Sequence, residues 1–461
     1  MSTGTKLNRR TFLQAAGATA AGAALAGTGA STALAAPAKG VVTVQFWSPT
    51  TDALGKKIMQ DITNAFNKSV GKREGIFVKM SIVPTTNQYV KYTTAMTASS
   101  GSPDVVMTYD YNPIISWASN GYIQPMDTYA KAVGVKQRDY FPVAWDMINI
   151  GGHIWGLMQE FDFQQFAWNK NIHKAPPPKT RDELDALAAR YTKFDKKGNL
   201  TQVGLVPWNA NNPLWYDWSA AFGASYYDNS AGKWTINTPQ NRAMLEWILK
   251  YVHILGGDRT KADSFVSAAH DPNGHTEYLF YAGKVAFEEI GEYKQAPQGG
   301  EMVLVAPKLL PHVGVAQVPT VKGVPYGTNN TGGGNVFLLP TKSQHPREAA
   351  IYITYAGGFQ AVKEWNIREG NFPPVKAVVF SEEFKKALPY MGPWTEVLAA
   401  NRLKPPVQSP QYPLFASEMA LAVDAVTFKR KTPARALSDV ASKVSAAVQQ
   451  FKLSHPNWPH E

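Results

Sequence analysis

The chain from Val41 to Tyr111 predicts an α/β fold built on a parallel sheet, and three observations carry that prediction. The first is Val41-Val42-Thr43-Val44-Gln45-Phe46-Trp47, a β-branched and aromatic run that ends at a Ser-Pro turn. The second is the recurrence of Ile76, Val78, Met80 and Ile82 at every other position, the pattern of a strand with one buried face. The third is what lies between and after them. Leu54, Ile58, Ile62 and Phe66 recur every four residues, as on one face of a helix that Asp52 can cap. A polar, Tyr-bearing helix follows from about Gln88 to Ala98. The turn Gly101-Ser102-Pro103 then leads into Asp104–Thr108, a third strand ending at Tyr109-Asp110-Tyr111. Strands joined by helical crossovers lie parallel.

Further on, Tyr278, Leu279, Phe280 and Ala282 read as the buried end of a helix that Gly283 stops, because glycine adopts the left-handed conformation cheaply. Lys284-Val285-Ala286-Phe287 reads as a short strand bounded by Gly291, followed by Glu288, Glu289, Glu292 and Tyr293. In an open α/β sheet ligands sit beyond the carboxyl ends of strands. Acceptors and a ring placed there suit a polar, hydroxyl-rich ligand; the alternative is a strand with a solvated acidic turn. Pro297–Gly300 is a candidate hinge crossing, after which Val303-Leu304-Val305 through Val318-Pro319 would return to a first lobe. Helices dominate from about Gly357: Glu382–Leu388, Thr395–Leu403, Phe415–Thr427 and Ala434–Phe451. In the last, Leu437, Val440, Val444 and Val448 form an apolar face expected to pack on a second lobe.

With 44% hydrophobic and 18% charged residues the chain is globular rather than disordered, and 461 residues suffice for two or three lobes. The absence of cysteine excludes disulfides, thiolate metal sites, cysteine nucleophiles and a lipid-modified N-terminal cysteine. Lys6, Arg9 and Arg10 head an Ala/Gly-rich run, with Ala33-Leu34-Ala35 suiting a signal peptidase. Asn8-Arg9-Arg10-Thr11-Phe12-Leu13 resembles the twin-arginine export signal, which makes residues 1–35 a signal peptide and Arg9 and Arg10 its export residues; an uncleaved anchor is the alternative. Removal of that segment brings the formal net charge from +11 to +8. The remaining Lys and Arg are scattered, and Lys429-Arg430-Lys431 is brief, so nucleic acid is not an expected partner.

No HExxH, GxSxG, Walker or GxGxxG pattern occurs. Gly332-Gly333-Gly334-Asn335 reads as a tight turn that lets backbone approach a ligand. His270, Asp271, His275 and Glu277 lack a recognised ligand spacing, so no metal is expected. Glu160, Asp162, Glu289 and Glu292 could include a hydrolase pair, which sequence spacing alone does not establish. Trp215, Tyr216 and Trp218 are an unusual cluster: three rings in four residues are not expected all to face one core, so either one or two are core with another merely exposed, or a ring presents its flat apolar face to a ligand.

The segments VTVQFW, SGSPDVV, SNGYIQPMDTYA, GGHIWGLMQEFDFQQFAWNKNIH, PPPKTRDELDALAARY, YLFYAGKVAFEEIGEY and TGGGNVFLLPTKSQHPREAAIYITYA occur in the order and spacing of a known family. They resemble the extracellular solute-binding proteins of ABC importers, in the sugar-binding family related to maltose-binding protein (family 1). The resemblance implies a two-lobe periplasmic-binding-protein-like α/β fold (type II), with lobes exchanging segments through a hinge. On this reading residues 36–162 and 298–356 form the first lobe, and 163–297 and 357–461 the second. It also implies an exported, non-enzymatic monomer without cofactor, in the periplasm or on the outer face of the cytoplasmic membrane; the missing cysteine departs from the family's usual lipid tether, so a lipoprotein is not expected. Such a protein would bind a carbohydrate and deliver it to ABC importer permease subunits, after export by the twin-arginine translocase. The resemblance places the cleft stretches, and side-chain chemistry selects Trp47, Asp110 and Tyr111 from the first lobe, Gly334 and Asn335 from the returning segment and Glu160 at the crossing. Trp215, Trp218, Glu292 and Tyr293 would serve from the second lobe. Arg181 and Tyr293 stand where the family commonly has Trp. A secreted carbohydrate-active hydrolase is the rival reading.

Overall fold

The computed structural model describes residues 40–84, 88–208, 214–268, 278–456 and 458. The signal segment with Arg9 and Arg10, and the group His270, Asp271, His275 and Glu277, lie outside the described residues. Two sheets organise the fold. In the first, β1 (Val42–Ser48) pairs in parallel with β2 (Ile76–Ile82), in a register running from Val42 opposite Ile76 to Ser48 opposite Ile82. On its other side β1 pairs in parallel with β3 (Val105–Thr108). The sheet continues with β8 (Val336–Leu338), antiparallel to β3, and then β4 (Gly156–Met158), giving the order β2-β1-β3-β8-β4. The second sheet is antiparallel, with β5 (Gln165–Asn169) between β6 (Phe287–Ile290) and β7 (Val313–Ala316).

The crossover helices form for the reasons their sequences suggest. In α1 (Ala53–Lys68) the Asp52 carboxylate accepts the Gly55 N–H at 2.6 Å, satisfying one of the first-turn donors that have no intrahelical partner. Ile58, Ile62 and Phe66 are buried along one face. Phe66 meets Tyr352 edge-on, and Phe46 and Phe337 complete that aromatic core. Helix α2 (Gln88–Thr97) covers the next crossover, burying Tyr92 and Met96. At the far end, α11 (Pro433–Ser454) packs on α10 (Tyr412–Thr427) through buried Leu437, Val440 and Val444, with Val448 partly buried.

Several expectations change. The strand expected at Lys284–Phe287 lies three residues later, because Val285 makes only a single bridge, to Val203, before true pairing with β5 begins at Phe287. Glu288 and Glu289 are therefore strand residues and buried, not members of a turn. Gly283 does stop the short helix Tyr278–Tyr281, at φ 70°. Val303–Val305 belongs to a helix, α7 (Glu301–Val305), and Val313–Ala316 joins the second sheet. The chain rejoins the first sheet only at Val336. Helix α9 (Phe359–Glu369), expected with the second lobe, packs on α1 and ties to it through Arg368 and Asp61 at 3.1 Å.

The three rings of α5 (Leu214–Ala221) are all buried, because both sides of that helix are covered. Trp215 packs edge-on against Tyr226 and Phe415, whereas Trp218 meets Trp247 on the other side, with centroids 5.1 Å apart. Arg181, the first residue of α4 (Arg181–Tyr191), lays its guanidinium 3.9 Å from the Trp218 ring centre and 4.4 Å from that of Trp247. A flat cation thus stacks on the indoles of a buried aromatic cluster.

Candidate functional site

Three connections of the two sheets come together: the crossing segment 159–164 between β4 and β5, the glycine turn 332–334 before β8, and the turn 291–295 after β6. The crossing segment is held by backbone. Gln159 N–H donates to Asn335 O at 2.7 Å, and Gly332 N–H donates to Asp162 O at 2.8 Å. The Gly333 N–H donates to the Asp162 carboxylate at 2.6 Å. This approach requires glycine. A Cβ on Gly332 would collide with the Asp162 carboxyl, and one on Gly333 or Gly334 would lie 2.8 Å from the carbonyl oxygen of Tyr109 or Glu160.

Two cavities adjoin at this junction and share Tyr109, Asp162 and Tyr293 as walls. The larger, about 660 Å³, is also lined by Asp52, Glu160, Asn335, Trp365, Glu369 and Asn371, with Glu301 and the exposed Leu304 at its edge. The smaller, about 340 Å³, is lined by Asp110, Tyr111, Asn112, Gln164, Tyr216, Asp217 and Tyr412. Of the side chains chosen from sequence, Asp110, Tyr111, Glu160, Tyr293 and Asn335 line these cavities. Gly334 supports the wall through its backbone, donating to Tyr109 O at 3.0 Å. Glu292 lies just behind, fully buried, with Asp162 and Glu160 close enough to disfavour its charge.

Trp47, Trp215 and Trp218 are not brought there. On β1, Phe46 enters the core and Trp47 turns to the opposite face, where it packs beside Tyr92 and walls a separate groove with Ile82, Val83 and Val90. Trp215 and Trp218 are core rings. Sequence reasoning missed Asp52, whose helix-capping role was legible while its place at the cavity was not. It also passed over Tyr109, named at a strand end without a role, and Trp365, Glu369, Asn371 and Tyr412, which come from helical regions remote in sequence.

The electrostatics of the junction are those of crowded, buried acids. Burial pushes Glu160 up to about 7, helped by Asp162 and Asp52, against the lowering effect of Trp365 Nε1, which donates to its carboxylate at 2.6 Å, and of Asn371. Burial likewise raises Asp162 to about 6, although the Gly333 N–H opposes it, and Asp217 to about 8 with Asp162 adding to the shift. Glu369 rises to about 8 through burial and the nearby Asp52 and Glu160. Asp110 is raised by burial despite accepting the Asn112 N–H at 2.9 Å, and Glu292 well above the usual range. Carboxyls near neutrality in pKa can both donate to and accept from hydroxyl groups. Among the described residues no group of three or more His, Cys, Asp or Glu is placed to hold a metal ion.

The family model for bacterial extracellular solute-binding proteins matches residues 48–361. The chain belongs to that family. It is similar to a probable ABC transporter-binding protein of Deinococcus radiodurans, 24% identical over 329 residues, which are 69% of this chain and 75% of the relative. Its fold is similar to that of CpMnBP1 with mannotriose bound, at a TM-score of 0.72 and 22% identity, covering 87% of this chain and all (100%) of the other. A cyclo/maltodextrin-binding protein complexed with maltotetraose superposes at a TM-score of 0.67 and 19% identity, covering 88% and 97% of the two chains. The fold is the two-lobe, type II arrangement of periplasmic binding proteins, and the cavities lie where its two sheets meet.

The raised carboxyls have a consequence for stability. A carboxyl whose pKa is raised on folding keeps a proton that the unfolded chain has released, so the folded state loses stability as pH rises from the ordinary carboxylate range to about 8. The carboxyls that folding lowers, such as Asp61 and Asp439, act below that window. Ligand-free protein is expected to melt at a higher temperature near about pH 5 than near about pH 8, and Glu369→Gln to flatten the slope. A melting temperature that is flat or rises across this window in the unsubstituted protein would contradict the assignment.

Proposed function

We propose that this chain is the exported substrate-binding component of an ABC importer, capturing a carbohydrate between its lobes and delivering it to permease subunits in the membrane. The observation that carries the reading is the lining of the junction cavities: the rings Tyr109, Tyr293, Trp365, Tyr111 and Tyr412 beside carboxyls and the amides Asn335 and Asn371. Rings offer flat apolar faces to the C–H faces of a sugar, while carboxyls and amides take its hydroxyls. Family membership and the relative named as an ABC transporter-binding protein support the transport role, and the sugar-bound structural neighbours support the ligand class.

In this reading the lobes are 36–162 with 298–356 and 163–297 with 357–461, with α9 and the strand 313–316 exchanged across that division. The protein acts as a monomer in the periplasm or on the outer face of the cytoplasmic membrane, without a lipid anchor. Residues 1–35 direct export through the twin-arginine translocase; accumulation of precursor in the cytoplasm when Arg9→Lys and Arg10→Lys are combined is the expected result, and normal export would refute this route.

The ring of Tyr293 borders both cavities and packs over Gly291. Tyr293→Ala is expected to weaken binding of the tightest ligand from a carbohydrate panel by about 1–3 kcal/mol, roughly 5- to 150-fold, with little change in melting temperature. Trp218→Ala should do the reverse, costing about 3–5 kcal/mol of stability through the cavity it leaves. Calorimetric titration and melting curves on the two variants separate the roles, and unchanged affinity in Tyr293→Ala would place the site elsewhere.

A further inference from the structure

The larger cavity is lined by five acids, Asp52, Glu160, Asp162, Glu301 and Glu369, and the smaller adds Asp110 and Asp217. Among the described lining residues of both there is no Lys, Arg or His, in a chain whose formal net charge is +11. Of the basic groups close by, Arg368 is engaged with other acids, and buried Lys294 lies behind the wall with its ammonium 5.8 Å from the Tyr293 ring centre. Arg368 ties to Asp61 at 3.1 Å and Glu364 at 2.8 Å, and Lys294 lies 3.7 Å from Glu301. Asp185, buried elsewhere in the fold, is matched by contrast: it accepts from Trp247, Lys250 and Tyr251 at 2.6–2.9 Å.

A second, independent feature points into the same space. Asn335 lines the larger cavity, is 1% exposed, and both its amide oxygen and its amide nitrogen lack a hydrogen-bond partner. A buried amide left in that state is costly unless a ligand group meets it, and its oxygen is an acceptor suited to an N–H. The acids are spread along the walls rather than gathered around one point, and no metal-holding group is found among the described residues. A charge distributed this way suits an organic cation carried on an extended ligand rather than a single ion.

From the excess of carboxyls over bases around the two cavities, with the unpartnered Asn335 amide facing the same space, we infer that the ligand is an amine-bearing carbohydrate. This rests on the proposed carbohydrate-binding function and narrows it. An ammonium beside poorly solvated carboxyls favours their ionised form and is attracted to it far more strongly than in water, whereas a neutral sugar leaves them to hold their protons. The rings at Tyr109 and Trp365 add faces to which a cation is also drawn.

The test is calorimetric titration of the full mature chain with matched saccharides: gluco-, galacto- and manno-configured sugars, their 2-amino-2-deoxy forms and the N-acetylated forms, as monosaccharides and as β-1,4-linked trisaccharides. The amine form should bind at least about tenfold tighter than its neutral and acetylated counterparts. That preference should shrink as sodium chloride rises from roughly 50 to 500 mM, and shrink again in Glu369→Gln and Glu160→Gln, read in each variant as the ratio of amine-form to neutral-form affinity. A preference kept in full by both variants would overturn the inference. Equal or tighter binding of neutral sugars would also overturn it while leaving the carbohydrate reading intact. Binding of spermidine or alkylamines with no response to any saccharide would overturn both, as would silence across the whole panel.

Discussion

The structure turns on the grip of the glycine turn 332–334 on Asp162. Two backbone N–H groups, from Gly332 and Gly333, reach the carbonyl and the carboxylate of one residue on the crossing segment. That contact places β8 between β3 and β4, so the late chain completes the first sheet. It also ties down the crossing segment 159–164, from which Glu160 and Asp162 line the same cavity and Asp162 disfavours the charge of Glu160. Each glycine stands where a Cβ would strike Asp162, the Tyr109 carbonyl or the Glu160 carbonyl.

Acids are buried under two regimes in this chain. Away from the junction, Asp185 has three donors, and the Arg181 guanidinium lies over two indoles with Glu289 nearby. At the junction the acids face a cavity and one another, and the donors near them, the Gly333 N–H, Trp365 and Asn371, offset only part of the cost. Burying like charges without bases is unfavourable for folding, and such sites persist where binding needs them. The raised pKa values of Glu160, Asp162, Asp217 and Glu369 express that same cost.

Much of the fold was legible because it rests on local rules. The period-two run at Ile76, the four-residue spacing from Leu54, the cap at Asp52 and the stop at Gly283 are decided within a few residues, and all appear. What failed was decided by tertiary pairing. Val285 has the character of a strand residue, yet the partner strand β5 aligns with Phe287–Ile290, which moves Glu289 from a turn into a sheet. The Trp cluster misled because ring chemistry suits sugar and core equally; the rings that cover Trp215 and Trp218 include Phe415 and Trp247, far off in sequence. The site was half legible for the same reason. Asp110, Glu160, Tyr293 and Asn335 sit in stretches with a recognisable order, whereas Trp365, Glu369 and Asn371 come from a helix end whose sequence announces nothing but a helix.

If these cavities are a ligand site between lobes that close, the ligand must contact both sheets' segments and so favour the closed arrangement over any open one. Small-angle scattering measured on the mature chain, with and without a saturating carbohydrate from a binding screen, tests this most directly. The account predicts a smaller radius of gyration with ligand, and a radius unchanged at saturation would contradict it.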